Sequence, residues 1–257
     1  MSAIVMSIAN QKGGVGKTTI ASQFAFDLAI KHGQRVLYVD MDAQGNGSTV
    51  LLRGEPITGT EATSLFDVDC KELIPTHTSR GIDLLPTESN SRLSYALEGL
   101  PDEYVTVPRD QLKMLRDQYD VILVDCPPNL GLKLRSALVM STHVCCPIRL
   151  CGFAVDGLSG LIDTINDIKH TYNPDLQLVG ALINAFDRST SHVATLAEMQ
   201  AQMEGVLLPT VIKHRTPLDR ANTYGIPIWE VPSAYRAAQE IDIAFRAIYE
   251  KLGLKVE

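Results

Sequence analysis

The sequence predicts an α/β fold, a mostly parallel twisted sheet with helices on both faces. Two patterns predict it. Short apolar runs rich in Val, Ile and Leu alternate along the chain with longer stretches of helical spacing. Continuous apolar strands separated by helices mean a parallel sheet covered on both faces. A glycine-rich segment also lies between the first apolar run and the first helical stretch. Sheets of this kind bind ligands there, at the carboxyl ends of their strands.

The elements follow in order. Residues 3–9 form a short run with Ile and Val, as a buried strand requires. After the glycine segment, Ile20, Phe24 and Leu28 recur every four residues, the spacing of a helix facing a sheet. RVLYVD (Arg35–Asp40) is the second strand and GIDLLP (Gly81–Pro86) the third. Between these two, residues 53–80 are the least periodic and read as surface loops and short helices. YDVILVDCPP (Tyr119–Pro128) is a strongly apolar strand ending in Asp125. HVCCPI (His143–Ile148), LQLVGALIN (Leu176–Asn184) and GVLLPTVI (Gly205–Ile212) complete the strands, with Leu158, Ile162, Ile165 and Ile168 at helical spacing among them. The last segment, Glu240–Leu254, sets Ile241, Phe245, Ile248 and Leu252 on one stripe. A membrane-targeting helix would show such a stripe, but so does a helix packed on a sheet, and the second reading is the ordinary one.

At 257 residues the chain reads as one domain, residues 1–257, with 45% hydrophobic residues to build its core. The glycine segment begins about ten residues in, so no targeting leader is expected. No apolar run reaches the roughly 18 residues of a membrane span. A net charge of −7 argues against a globally basic nucleic-acid binder while leaving room for a local basic patch. The five cysteines include no CxxC pair, and small core residues with free thiols are expected rather than a metal cluster.

The chemistry concentrates in three stretches. The first is KGGVGKTT, Lys12–Thr19. Gly13, Gly14 and Gly16 allow a tight backbone that aims N–H groups inward around Val15, and a helix start supplies more of them, making an anion site. Lys17 adds a point charge for the outer phosphates, and the Thr18 hydroxyl can ligate Mg²⁺ with Thr19 beside it. Strand, glycine loop and helix are the context that a phosphate loop requires. The usual first glycine is replaced by Gln11, and an extra lysine, Lys12, follows it. Two lysines converging on one site would repel unless a polyphosphate lay between them; the alternative is that Lys12 points into solvent.

The second stretch is VDMDAQGNG, Val39–Gly47. Asp40 and Asp42, two residues apart at a strand end, can face one mouth. Asp40 could join a Mg²⁺ shell, and Asp42 could orient or deprotonate an attacking water. A polar turn would use the same residue types. The third is Asp125, ending its apolar strand, where a carboxylate must meet a cation or hydrogen-bond donors. It suits the metal-holding role in phosphate-loop proteins, or it caps the turn at Pro127 and Pro128.

Together NQKGGVGKTT, VDMDAQGN and VILVDCPPNLG, in this order, resemble the ParA/MinD family of deviant Walker-A ATPases, and the ParA branch of plasmid and chromosome partition most of all. The resemblance spans nearly the whole chain. It implies a P-loop NTPase fold, ATP and Mg²⁺ as cofactors, and an ATP-dependent homodimer in which Lys12 reaches the partner's nucleotide. It implies that Lys17 binds the β- and γ-phosphates, Thr18 and Asp125 serve the metal, and Asp42 is needed for hydrolysis. It places Asn184 of ALINAFD and Pro209 of LLPTVI near adenine. It further implies non-specific DNA as a partner, a ParB-type centromere-binding protein that stimulates hydrolysis, and a cytoplasmic, nucleoid-associated protein without an N-terminal helix-turn-helix. KHRTPLDR supplies DNA-binding candidates in Lys213, Arg215 and Arg220, with Lys133, Arg135, Arg188, Arg236 and Arg246 as further ones. A MinD-like membrane-associated positioning ATPase is the alternative; it needs a basic amphipathic tail, which Glu240, Asp242, Glu250 and Glu257 dilute. An iron–sulfur carrier and a non-catalytic nucleotide-dependent binding module are the other classes weighed.

Overall fold

The computed structural model describes residues 3–152 and 154–254. The elements run β1 (Ile4–Ile8), α1 (Lys17–Phe26), β2 (Val36–Asp40), α2 (Asn46–Leu52), β3 (Thr76–His77), β4 (Ile82–Leu85), α3 (Arg92–Ala96), α4 (Val107–Leu112), β5 (Val121–Asp125) and α5 (Leu132–Met140). They continue through β6 (His143–Arg149), α6 (Ala154–Thr171), β7 (Gln177–Phe186), α7 (Thr190–Gln202), β8 (Leu207–Lys213), α8 (Thr216–Tyr224) and α9 (Tyr235–Leu252).

The described strands form one sheet in the order β3-β4-β2-β5-β1-β6-β7-β8, parallel except for β3 against β4. The chain winds from β1 outward in both directions, so the strand order reverses at the centre and opens a crevice beyond the carboxyl ends of β1 and β5. The register brings Ile8 opposite Asp125, and Asp125 opposite Asp40. The second and third acidic stretches of the sequence therefore end on neighbouring strands, next to the glycine segment that leaves β1.

Both faces of the sheet are covered, which is why its strands read as continuous apolar runs. On one face Met6, Ile8 and Leu123 meet Ile20, Phe24 and Leu28 and the α9 stripe. On the other, Val5, Leu37 and Val124 meet Leu134, Leu158 and Ile165. Ile241, Phe245, Ile248 and Leu252 are all buried, so the final helix packs on the sheet as its spacing predicts. Phe245 stands edge-on to Phe24, with ring centroids 4.9 Å apart. Residues 53–80 are mostly loop, but they also hold β3, whose Thr76 and His77 pair with Leu84 and Asp83. A two-residue strand shows no alternation, so the sequence offers no sign of it.

The packing at Phe245 yields a prediction. Phe245→Ala should lower unfolding stability by about 3–5 kcal/mol, the range for truncating a buried aromatic. A denaturant titration that finds less than about 1 kcal/mol would show that α9 is not part of the cooperative core.

Candidate functional site

The loop after β1 is held from two sides. The Asn10 amide donates to the Pro147 carbonyl on β6 at 2.8 Å, while its own oxygen accepts from the Lys12 N–H at 2.8 Å. From β7, the Asn184 amide donates to the Val15 carbonyl at 2.9 Å. Gly16 then turns the chain into α1 with φ of 96°, and a Cβ there would run into the Asn184 amide. No side chain caps α1 and no acidic residue sits in its first turn. Its N–H groups are left for an anion, favoured further by the helix dipole.

Lys17 opens the helix and is buried, its ammonium donating to the Lys12 carbonyl at 3.1 Å. Burial lowers its pKa, against the pull of Asp125, Cys126 and Asp42. Asp125 is fully buried beside it, and Asp40, also fully buried, stands opposite Asp125 on the neighbouring strand. Asp40 accepts from both the N–H and the hydroxyl of Ser48 at 2.7 Å each, and from the Asp42 N–H at 3.2 Å. Asp125 Oδ2 accepts from the Tyr38 hydroxyl at 2.9 Å, whereas Oδ1 is buried without a hydrogen-bond partner. Burial raises the pKa of both acids, and the Asp125 charge raises that of Asp40 further. The nearby Thr18 hydroxyl, the Tyr38 hydroxyl and Lys17 draw Asp125 back down. Burial and Asp125 push the adjacent Cys126 thiol up to about 12, which makes it an inert core residue.

Asp125 lies beside the Lys17 ammonium with one oxygen lacking a hydrogen-bond partner, and a buried carboxylate compensated only in part calls for a cation. Mg²⁺ takes oxygen ligands, commonly one or two carboxylates completed by phosphate and water. An orphaned carboxylate oxygen beside the Thr18 hydroxyl fits that donor set. Asp40 fits it less well, because Ser48 and the Asp42 backbone already occupy its oxygens. Asp42 itself is half-buried in the wall of the cleft, with Oδ1 accepting from the Gln44 N–H at 3.0 Å.

The cleft has a volume of about 570 Å³, a size suited to a nucleotide-sized ligand. Gly13, Gly14, Gly16, Lys17, Thr18 and Thr19 line it together with Asp42. Gln44, Asn46, Thr49, Asn222 and Thr223 also line it, and sequence reasoning missed their role. Gln44 and Asn46 lie inside VDMDAQGNG and were legible there. Asn222 and Thr223 sit on α8, which carries no motif. The Asn222 amide donates to the Thr19 hydroxyl, and its oxygen is buried without a partner.

Several predicted residues lie elsewhere. Pro209 is exposed on β8, four residues short of the strand's end at Lys213, and does not line the cleft. Val15 is buried, with its carbonyl taken by Asn184. The Lys12 ammonium lies 4.0 Å from Cys151 Sγ and against Gly157 of α6, where a Cβ would stand 2.9 Å from it. Lys213 and Arg215 share Glu240, at 2.7 and 2.6 Å, while Arg220 is exposed. Lys133 cannot reach DNA: it is buried and donates to Ser94 at 3.0 Å. Arg135 pairs with Asp102 and Arg246 with Asp242. Arg188 and Arg236 are exposed.

Comparison with known proteins agrees with this geometry. Residues 3–178 match the family described as AAA domain. The chain is 35% identical over 234 residues to the chromosome partitioning protein ParA of Myxococcus xanthus, covering 87% of this chain and 80% of that one. It is 32% identical over 233 residues to the sporulation initiation inhibitor protein Soj of Bacillus subtilis, covering 87% and 89%. A solved Mycobacterium smegmatis structure, described as cobyrinic acid a,c-diamide synthase with bound ATP analogue and magnesium, superposes with a TM-score of 0.75 at 28% identity, covering 99% of this chain and 98% of that one.

Two predictions follow from the packing around the loop and the basic cluster. Gly16→Ala should cost at least about 1–2 kcal/mol, the penalty of the left-handed conformation, and should abolish nucleotide-induced thermal stabilisation; an unchanged melting curve would show that the loop is not held as described. Glu240 is drawn down to about 2: burial would raise it, but Arg215 and Lys213 outweigh burial. Its ion pairs should therefore stabilise the fold above the unfolded value of about 4.5 and be lost as pH falls from there toward 2. Glu240→Gln should flatten that part of the stability profile, whereas a profile parallel to wild type would remove the pairing.

Proposed function

The chain belongs to the ParA/MinD family of deviant Walker-A ATPases, and from that premise we propose that it is a partition ATPase. In this reading it hydrolyses ATP to ADP and phosphate with Mg²⁺, forms a sandwich dimer on ATP, binds DNA without sequence preference as that dimer, and is stimulated by a ParB-type partner. It acts in the cytoplasm on the nucleoid. The observation that carries the proposal is a cleft lined by the uncapped start of α1 and the buried Lys17, with the orphaned Asp125 oxygen buried behind it beside Thr18. Polyphosphate and a divalent cation together satisfy all three.

Each residue then has a role. The loop N–H groups and Lys17 hold the outer phosphates, and charge-assisted bonds to them are worth roughly 1.5–3 kcal/mol each. Thr18 and Asp125 hold the cation, which when bound neutralises charge on the phosphates. Asp40 keeps the turn after β2 in place through Ser48, so that Asp42 faces the cleft. Asp42 orients the attacking water and takes its proton. Asn222 and Thr223 line the cleft as well, and Asn184, which holds the Val15 carbonyl, would have to share its amide to contact the base.

Lys12 supplies the second cation. Leaving its place against α6, it reaches the nucleotide of a second copy, so that two lysines from different chains grip one polyphosphate. Loss of the γ-phosphate removes that bridge, which makes assembly a switch. For DNA, Arg188, Arg220 and Arg236 are the exposed contacts, and Lys213 and Arg215 contribute less because Glu240 offsets them. Membrane recruitment is disfavoured, since the apolar stripe of α9 is buried on the sheet and no described helix is long and apolar enough to cross a membrane.

The test is the size of three proteins, with ATP, ADP or neither, followed by a DNA shift on each. Asp42→Ala should hold ATP as a dimer of twice the 28.1 kDa chain and lose at least about a hundredfold in turnover, the scale of general-base catalysis. Lys17→Ala should remain monomeric throughout. Arg220→Ala should weaken DNA binding and reduce its salt slope by about 1. Wild-type turnover by Asp42→Ala would overturn the assignment of the base, and equal DNA binding with no nucleotide would overturn the switch.

A further inference from the structure

Tyr38 is a tyrosine in the middle of a central strand, fully buried between apolar neighbours. In such a place a phenylalanine or leucine would pack as well, and a hydroxyl must find a partner. The partner it has is the acid at the centre of the site: the hydroxyl donates to Asp125 Oδ2 at 2.9 Å. The register explains the reach. Asp125 lies opposite Asp40, two residues beyond Tyr38 on the same face of β2, so the ring runs along the strand toward the acid. Room for the ring end comes from Gly47 in α2, where a Cβ would stand 2.6 Å from the hydroxyl oxygen and 2.8 Å from Cε1. A tyrosine, a glycine and a carboxylate from three elements thus fit one another.

We propose that Tyr38 is a positioning residue for the divalent cation, its hydroxyl fixing one oxygen of Asp125 and leaving Oδ1 as the acceptor for the cation or its bound water. The assignment rests on the reading of the cleft as a nucleotide–Mg²⁺ site. It assigns Tyr38 to the second layer around the cation, where partners of a ligand set its orientation and their removal lowers metal affinity about 10- to 100-fold. Tyr38 acts on the cation through Asp125, so nucleotide affinity without a divalent cation should not depend on it.

The test titrates Mn²⁺ against protein holding a non-hydrolysable ATP analogue, with free Mn²⁺ read by electron paramagnetic resonance. Analogue affinity is measured separately in chelator. Tyr38→Phe should bind Mn²⁺ about tenfold more weakly and bind the analogue in chelator as wild type does. Gly47→Ala keeps the hydroxyl but displaces it, in a helix that tolerates alanine. It should show the same Mn²⁺ loss, and the double variant should be no worse than Tyr38→Phe alone. Gly47→Ala also carries the test should Tyr38→Phe fail to fold. Wild-type Mn²⁺ affinity in either variant, even with a lowered melting temperature, would show that the hydroxyl only satisfies the core and would overturn the proposal. No Mn²⁺ uptake by the wild-type protein would instead overturn the cation site itself.

Discussion

Two carboxylates buried side by side are the constraint on which the rest of this site depends. Asp40 and Asp125 end neighbouring strands at the centre of the sheet, with no exposure to water. Charges in such a place are tolerated only when compensated. Ser48 and the Asp42 backbone compensate Asp40, and in doing so set the turn that carries Asp42. The Thr18 and Tyr38 hydroxyls and Lys17 compensate Asp125 in part, and Oδ1 keeps no hydrogen-bond partner. The helix beside them starts with no side-chain cap and no acidic residue in its first turn, an end that favours negative charge. A ligand carrying both phosphate and a divalent cation answers both at once.

The scaffold around this pair is built from distant parts of the sequence. β6 and β7 grip the glycine loop through Asn10 and Asn184, and the Thr87 N–H donates to the Ser48 hydroxyl that holds Asp40. Such anchoring keeps a backbone cradle in place before any ligand arrives, which is how a binding site avoids the cost of ordering itself. Lys12 stands apart from this machinery: its ammonium lies against α6 rather than in the cleft.

Much of the fold was legible in the sequence because its strands are buried on both faces and read as unbroken apolar runs, while α6 and α9 show clean helical stripes. β3 escaped because two residues carry no pattern. The centre of the site was legible because its chemistry is local: KGGVGKTT and VDMDAQGNG hold glycines, lysines and acids within a few positions of one another. What failed was whatever depended on tertiary neighbours. Lys133 reads as a surface charge, as lysines usually are, yet its stem and ammonium are covered where α5 meets Ser94 of α3. Asn222 and Thr223 belong to a helix whose sequence signals only a basic cluster. Tyr38 reads as one more apolar strand residue, and only its hydroxyl's partner gives it meaning.

Calorimetric titration of ATP, ADP and AMP, each with Mg²⁺ and with chelator, tests the central claim most directly. The account predicts that Mg²⁺-ATP binds at least about a hundredfold more tightly than AMP, since two or more charge-assisted contacts to the outer phosphates are lost in AMP. It also predicts that chelation weakens ATP while leaving AMP unchanged. AMP binding as tightly as ATP, or an ATP affinity indifferent to the cation, would contradict it.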